Sequence, residues 1–310
     1  QLIPVILLIS VLIFIIIKLV PGDPVGSNLD PRATAEQKMA ERARLGLDKP
    51  IYVQYWNWLT RSIRGDFGYS YIYKRPVVDV IPSFIKNSLI LNIFVYIFAF
   101  LIAIPIGIIT AVKQYSKTDN FFSAFSLFGI SMPTFFFGLL LIYFFGVKNQ
   151  WFPISGMITV GRNYEGIAKV KDVLMHMILP GLVLIIGSLA SLVRYTRTSM
   201  LEVINQDYIR TARSKGLTEK VVIYKHAFRN ALIPVVTIVG FTVPSLFSGA
   251  VMLETVFNWP GIGRVLVDAV NFRDYNLMMA LDMFFAILTL MGNLLADIGY
   301  ALVDPRIKVD

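Results

Sequence analysis

Residues 207–234, DYIRTARSKGLTEKVVIYKHAFRNALIP, are basic, helical in rhythm and broken once at Gly216. Ile204, Tyr208 and Ala212 recur at four-residue spacing and predict one apolar stripe on a first helix. Val221, Tyr224 and Phe228 predict a second stripe, with Lys225 and Arg229 on another face. Gly216 suits the left-handed position that ends a helix, and Thr218 is placed to cap the next one. The pattern is a pair of short helices meeting at a glycine with a basic rim, and its chemistry is docking. Three surfaces fit that description. A DNA-reading helix–turn–helix is opposed by apolar runs that tether both ends. A basic lipid-facing loop needs charge only, not Ala and Gly at fixed offsets. A close-packed protein contact uses both the charge and the small residues.

No enzyme motif accompanies this segment. There is no GxxxxGK[ST] phosphate loop, no HExxH and no GxSxG. The GIG at Gly261–Gly263 follows no strand, and the two histidines, His176 and His226, are expected on opposite membrane faces. Cysteine is absent, which excludes disulfides and thiolate metal sites. If the protein uses ATP, another subunit hydrolyses it. Asp282 and Asp297 share the last apolar run but sit near its two ends. No ionisable group links them across the bilayer centre, so pairing at the interfaces is favoured over a proton relay. Arg194 and Arg197 are the expected partners of Asp297.

The elements that must position the basic segment are membrane spans. The 310 residues are 56% hydrophobic and only 16% charged, with net charge +9, against roughly a quarter charged in a soluble domain. Six apolar runs are long enough to cross a bilayer as helices: Leu2–Val20, Leu89–Val112, Phe121–Val147, Met177–Val193, Ala231–Leu253 and Leu277–Val303. The first is too long for a cleaved signal peptide, and no small-residue cleavage site follows it. The loops after the second and fourth runs and the tail carry more lysine and arginine than the short loops opposite, and the basic segment 21–86 is too long to count, so both termini are expected in the cytoplasm.

The chain divides into a first span (1–20), an outer segment (21–86), a five-helix core (87–303) holding the basic loop at 201–232, and a tail (304–310). TAEQKMAERARLGL and PIYVQYWNWLTRSI in the outer segment have helical rhythm, and RGDFGYSYIYKRP reads as turns. This predicts an extracytoplasmic cap. Its Tyr52, Tyr55, Trp56 and Trp58 fit interface anchors or cap core better than a stacking platform. Gly and Pro are expected to interrupt spans at Pro105 and Gly107, Gly129 and Pro133, Pro180 and Gly181, and Gly240 and Pro244. Broken helices mark transport paths, while small residues in spans also permit close packing. A gate is expected near Met132, Pro133, Val243 and Pro244.

RTARSKG followed after nine residues by HAFR resembles the cytoplasmic EAA loop of ABC-importer permeases. Ala212 and Gly216 match that motif's second Ala and Gly. Arg210 stands for its Glu and Arg229 for its Pro, departures typical of the dipeptide/oligopeptide/nickel branch. VPGDP, LGLDKPIYVQYWNWL, RGDFGYS, ISMPTFFFGLLLI, HMILPGLVL, VRYTRTSMLEV, ETVFNWPGIGRVLVDAV, RDY and DPRI resemble the same branch, in order along nearly the whole chain. The resemblance is to the longer, first permease of the usual pair. It implies an all-α integral membrane protein with six transmembrane helices in the type I ABC importer permease fold, in a bacterial or archaeal cytoplasmic (inner) membrane. It implies half of an import pore for short peptides, with nickel complexes, glutathione or another small solute as alternatives. The implied partners are a second homologous permease, two ATPase subunits carrying ATP and Mg, and an extracytoplasmic binding protein, with membrane lipid around the spans and no nucleic acid. No cofactor or metal is expected on this chain. Asp207, Tyr208, Arg210, Thr211, Ala212, Arg213, Gly216, Leu217, Val221, Lys225 and Arg229 are the implied ATPase-docking residues. An ion-coupled secondary transporter would need ionisable groups near the midplane, and the sequence offers none. A membrane-tethered DNA-binding regulator would need a free helix–turn–helix domain, and this one is pinned at both ends.

Overall fold

The computed structural model describes residues 2–19, 34–232, 246, 247 and 249–303, with side chains at these positions except 127, 130 and 295–303. Helices dominate. They are α1 (Leu2–Leu19), α2 (Ala35–Arg44), α3 (Ile51–Ile63), α4 (Val77–Val112), α5 (Lys117–Ser131), α6 (Thr134–Leu141), α7 (Gly166–Ile204), α8 (Asp207–Ser214), α9 (Glu219–Val221), α10 (Val251–Val256), α11 (Ile262–Asn271) and α12 (Tyr275–Val303). α6 runs on as a π-helix over Ile142–Lys148, and α9 over Val222–Ala227. Strands β1 (Tyr69–Ser70) and β2 (Arg75–Pro76) form a small antiparallel hairpin. An all-α expectation therefore needs that one amendment.

Four helices among the described residues are long and apolar enough to cross a membrane: Leu2–Leu19, Val77–Val112, Gly166–Ile204 and the Tyr275–Leu294 part of α12. At 1.5 Å per residue, the 36 residues of α4 extend for about 54 Å, well beyond the ~30 Å hydrocarbon layer. It starts at Val77, ahead of the apolar run at Leu89. The run Phe121–Val147 is split into α5 and α6 at Met132 and Pro133, which take extended backbone (ψ 125° and 127°). Most of the run Ala231–Leu253 lies outside the described residues.

Pro105 and Pro180 overturn the expectation of broken helices at their positions, because α4 and α7 run through them unbroken. The adjacent glycines serve packing instead. A Cβ on Gly107 would lie 2.5 Å from Cβ of Thr196, and one on Gly181 would lie 2.7 Å from the Phe94 ring. Such contacts let helices approach closely in lipid.

The chain forms two compact units. The first comprises Gln1–Ser88, Ser248–Val251 and Pro260–Met291. Phe14 and Ile17 of α1 join Val77, Val80, Ile262, Val265, Ala269 and Leu277–Leu281 in its core. The outer helices follow their predicted rhythm. α2 starts with a capping box in which Thr34 Oγ1 accepts the Gln37 N–H and Gln37 Oε1 accepts the Thr34 N–H. α3 lays Tyr55 and Trp58 against Phe14, with ring centroids 5.4 and 6.2 Å away, and the Tyr55 and Ser10 hydroxyls share a 2.8 Å hydrogen bond. Tyr55 and Trp58 are thus core, while Tyr52 and Trp56 remain exposed.

The second unit comprises Leu89–Phe247, Met252–Trp259 and Gly292–Asp310. Leu91, Val95, Ala99 and Ala103 recur every four residues on α4 and pack with Met177, Ile185, Leu189, Leu192 and Val193 of α7, and with Trp259. A separate cluster seats the basic segment: Ile108, Ala111, Met200, Ile209, Ala212, Val222, Ile223, Ala227 and Ala231.

Candidate functional site

The basic segment forms the helix–turn–helix that its rhythm predicts. α7 ends at Ile204, Asn205 and Gln206 turn the chain, and α8 begins at Asp207. Gly216 has φ +75°, the left-handed value expected at a helix end. Its N–H bonds to the Arg213 carbonyl at 3.0 Å. Among the described residues, nothing beyond its two chain neighbours lies within 4 Å of a Cβ built at Gly216, so this side of the turn is open. Across the turn Arg213 grips Glu219 through both fork nitrogens, at 3.1 and 2.8 Å. Those bonds hold the Glu219 carboxyl below the usual carboxylate range. Thr218 occupies the cap position of α9, but its side chain makes no capping bond, contrary to expectation.

The buried stripes differ from the predicted ones. Ile209 (0% exposed) and Ala212 anchor α8, while Tyr208 is exposed and Ile204 is half-buried. The turn at Asn205 and Gln206 resets the phase, so four-residue spacing from Ile204 does not carry into α8. In the second helix Val222, Ile223 and Ala227 are buried, Phe228 is half-buried, and Val221 and Tyr224 are exposed. The π-helix over Val222–Ala227 bonds i to i+5, which moves the inward positions away from a 3.6-residue rhythm.

The outward face is consequently mixed. Tyr208, Leu217, Val221 and Tyr224 expose apolar surface, and Arg210, Lys225 and Arg229 of the same segment are exposed as well. Asp207 and Arg210, both largely exposed, stand 3.7 Å apart, and Thr211 Oγ1 donates back to the Asp207 carbonyl at 3.0 Å. Exposed aromatic rings and arginines are enriched where proteins make contact. The expected gate residues are only partly placed. Met132 and Pro133 form the break between α5 and α6, and Met132 borders a cavity of about 20 Å³ with Phe128, Phe137, Val183 and Ile186. Val243 and Pro244 lie outside the described residues.

One polar contact escapes sequence reasoning. Asp119, in the first turn of α5, is buried and accepts two hydrogen bonds from Arg197 of α7, each 2.9 Å. It also accepts the Tyr115 N–H at 2.9 Å, and its own N–H donates to Ser116 Oγ. Arg197's bonds hold its carboxyl below the usual range, against the opposing effect of burial. Arg197 was a predicted partner of Asp297, and its fork is instead on Asp119. The Asp297 side chain lies outside the described residues, and Arg194 is exposed. The signal was Ser116-x-x-Asp119 before an apolar run, a helix-start pattern. The clamp ties the entry of α5 to α7 ten residues before α8 begins. We expect Asp119→Asn to lower the thermal midpoint by the equivalent of about 1–3 kcal/mol, one charge-assisted bond. An unchanged midpoint would show that the clamp contributes nothing to folding.

Residues 103–309 match the family described as the binding-protein-dependent transport system inner membrane component, and residues 2–99 match that family's N-terminal region. The chain is 43% identical over 307 residues to the oligopeptide transport system permease protein AppB of Bacillus subtilis, covering 99% of this chain and 96% of AppB. It is 39% identical to the glutathione transport system permease protein GsiC of Escherichia coli K12, covering 99% and 96%. The inward-facing structure of the MetNI methionine ABC transporter superposes with TM-score 0.56 at 17% identity, covering 72% of this chain and 96% of that one, a likeness of fold. With family matches along both parts of the chain and relatives alike over nearly its whole length, the chain belongs to the binding-protein-dependent transport system inner membrane components and is an ABC-importer permease.

Proposed function

We propose that this permease forms half of a pore for ATP-driven uptake of short peptides, with the 207–229 helix–turn–helix as its contact to an ATPase subunit. One observation carries the second part. The segment sits on a buried apolar cluster yet leaves Tyr208, Leu217, Val221 and Tyr224 exposed, together with Arg210, Lys225 and Arg229. An amphipathic helix presenting such a face is suited to a groove on a partner. The peptide reading rests on the relatives named for oligopeptides and for glutathione, itself a short peptide.

In this reading the chain has six spans with both termini cytoplasmic, in an inner membrane. The outer segment is an extracytoplasmic cap that receives a substrate-binding protein. A second homologous permease completes the pore, and two ATPases hold ATP and Mg. The break at Met132 and Pro133 contributes to an apolar gate. Glutathione or another small solute carried by the same architecture is the second reading, favoured by the likeness to GsiC.

The test is uptake by the full complex in proteoliposomes, with labelled dipeptide, oligopeptide, glutathione and nickel. The expected result is ATP-dependent accumulation of a peptide, stimulated by the binding protein. Nickel uptake without peptide uptake would reject the substrate class, and uptake without the ATPases would reject the mechanism. The purified permease alone is expected to hydrolyse no ATP.

A further inference from the structure

Helix α3 leaves a broad apolar face exposed. Tyr52, Trp56 and Ile63 are 74%, 63% and 75% exposed. At 3.6 residues per turn they fall within about 40° of one another, on one side of the helix. Half-buried Leu59 lies beside them. The next sector round holds Tyr55 and Trp58, which pack into the core of this unit. A third sector holds Asn57, Arg61 and Arg64, all exposed. Thr60, at the border of the bare apolar side, satisfies its hydroxyl within the helix, on the carbonyls of Trp56 at 2.9 Å and Asn57 at 3.1 Å. The bare side therefore asks nothing of water, and an exposed apolar patch of this kind marks an interaction surface.

Contacts with α1 set the depth of this helix. α1 has 18 residues, about 27 Å at 1.5 Å each, close to the ~30 Å hydrocarbon layer. Its apolar run closes at Val20, ahead of Pro21, Gly22 and Asp23. Phe14 precedes the last residue of α1 by five positions, about 7.5 Å along the axis. Helical side chains tilt toward the N-terminus, so the Phe14 ring lies no nearer the end than its backbone. Tyr55 and Trp58 of α3 meet that ring at 5.4 and 6.2 Å, and the Tyr55 hydroxyl reaches Ser10, deeper still, at 2.8 Å. These contacts are made inside the apolar run, at the ~5–10 Å depth to which an interfacial helix buries its apolar face. At the same depth α1 leaves Ile15, Ile16 and Leu19 exposed, so the two packed helices share one apolar environment.

We propose that α3 is an in-plane membrane helix. Tyr52, Trp56, Leu59 and Ile63 lie among the lipid chains of the leaflet at the C-terminal end of α1, and Asn57, Arg61 and Arg64 face headgroups and water. Tyrosine and tryptophan favour this depth, and a helix with tryptophan on one face and arginine on another lies in this plane. The inference rests on α1 crossing the bilayer, part of the proposed function.

The chain has no cysteine, so single cysteines can carry a nitroxide label in the transporter assembled with cysteine-free partner subunits in liposomes. Labels on Trp56→Cys, Ile63→Cys and Asn57→Cys are read by collision with oxygen, which concentrates among acyl chains, and with a nickel chelate, which stays in water. Co-purified partner subunits verify assembly of each variant. Oxygen is expected to relax the label more strongly at 56 and 63, and the chelate at 57, a reversal across one helix. Stronger relaxation by the chelate at 56 and 63 would overturn the inference in favour of a water-facing helix. Loss of both collisions there would overturn it in favour of a protein cover. Leu12→Cys tests the span separately. Oxygen at 12 with chelate at 56 and 63 overturns the in-plane helix alone, whereas chelate at 12 overturns α1 as a span and the inference with it.

Discussion

Gly216→Val is expected to leave the permease inserted while reducing both uptake and ATPase co-purification to a small fraction of wild type. Gly216 holds φ +75°, where a side chain costs about 1–2 kcal/mol and a β-branched one is least tolerated. Among the described residues, nothing beyond its two chain neighbours stands within 4 Å of the new Cβ. The substitution therefore meets no internal clash, and its damage comes from the altered turn and from bulk on an open surface. Gly216→Asn separates these two effects, because asparagine accepts left-handed backbone but still adds volume. If a partner packs against the turn, the asparagine variant also loses co-purification. If only strain matters, it behaves as wild type while valine fails. Arg213→Ala removes an exposed pair with Glu219, worth about 0–1 kcal/mol, and is expected to do far less. Wild-type uptake and co-purification in Gly216→Val would remove this segment from the ATPase contact.

What the sequence makes legible here is local, and what it hides is either long-range or a matter of phase. A glycine between two short helical rhythms predicts the left-handed turn because few other residues adopt that backbone cheaply. Thr34 and Gln37 announce the start of α2 for the same local reason. Phase is lost wherever the helix is not a regular α-helix. Asn205 and Gln206 shift the inward position to Ile209 instead of Tyr208, and the π-helix shifts it to Val222 and Ile223 instead of Val221 and Tyr224. Proline misleads in the opposite direction. Pro105 and Pro180 read as breaks, yet their helices continue, while Pro133 after an extended Met132 does break one. Single polar pairs are hardest to see. Asp119 and Arg197 are 78 positions apart, and no periodicity joins them. The basic helix–turn–helix was therefore readable as a place and a charge, but not as a set of inward and outward side chains.

Asp274→Ala is expected to be the most destabilising of these substitutions. Asp274 is fully buried and its carboxylate is shared between two elements. Oδ2 accepts the Ser70 hydroxyl at 2.6 Å, the Tyr71 N–H at 2.8 Å and the Ile72 N–H at 3.3 Å, at the hairpin between β1 and β2. Oδ1 accepts the Leu277 N–H at 3.2 Å, capping α12 three residues ahead. The partners lie 204 positions away in sequence for Ser70 and three for Leu277, so one side chain both starts the last helix and holds the outer hairpin to it. Alanine removes the cap, worth about 0.5–2 kcal/mol, and strands donors that each cost about 1–3 kcal/mol when buried without a partner. Even with water relieving some of them, the loss exceeds that of an ordinary surface substitution, within about 0.5 kcal/mol. Asp274→Ser tests the division of labour. A serine can restore the cap to Leu277 but is too short to reach the hairpin donors, so it should recover part of the thermal midpoint while the 69–76 hairpin stays sensitive to protease. Full recovery of both by serine would mean that the cap alone matters, and an unchanged midpoint in the alanine variant would mean that the carboxylate staples nothing.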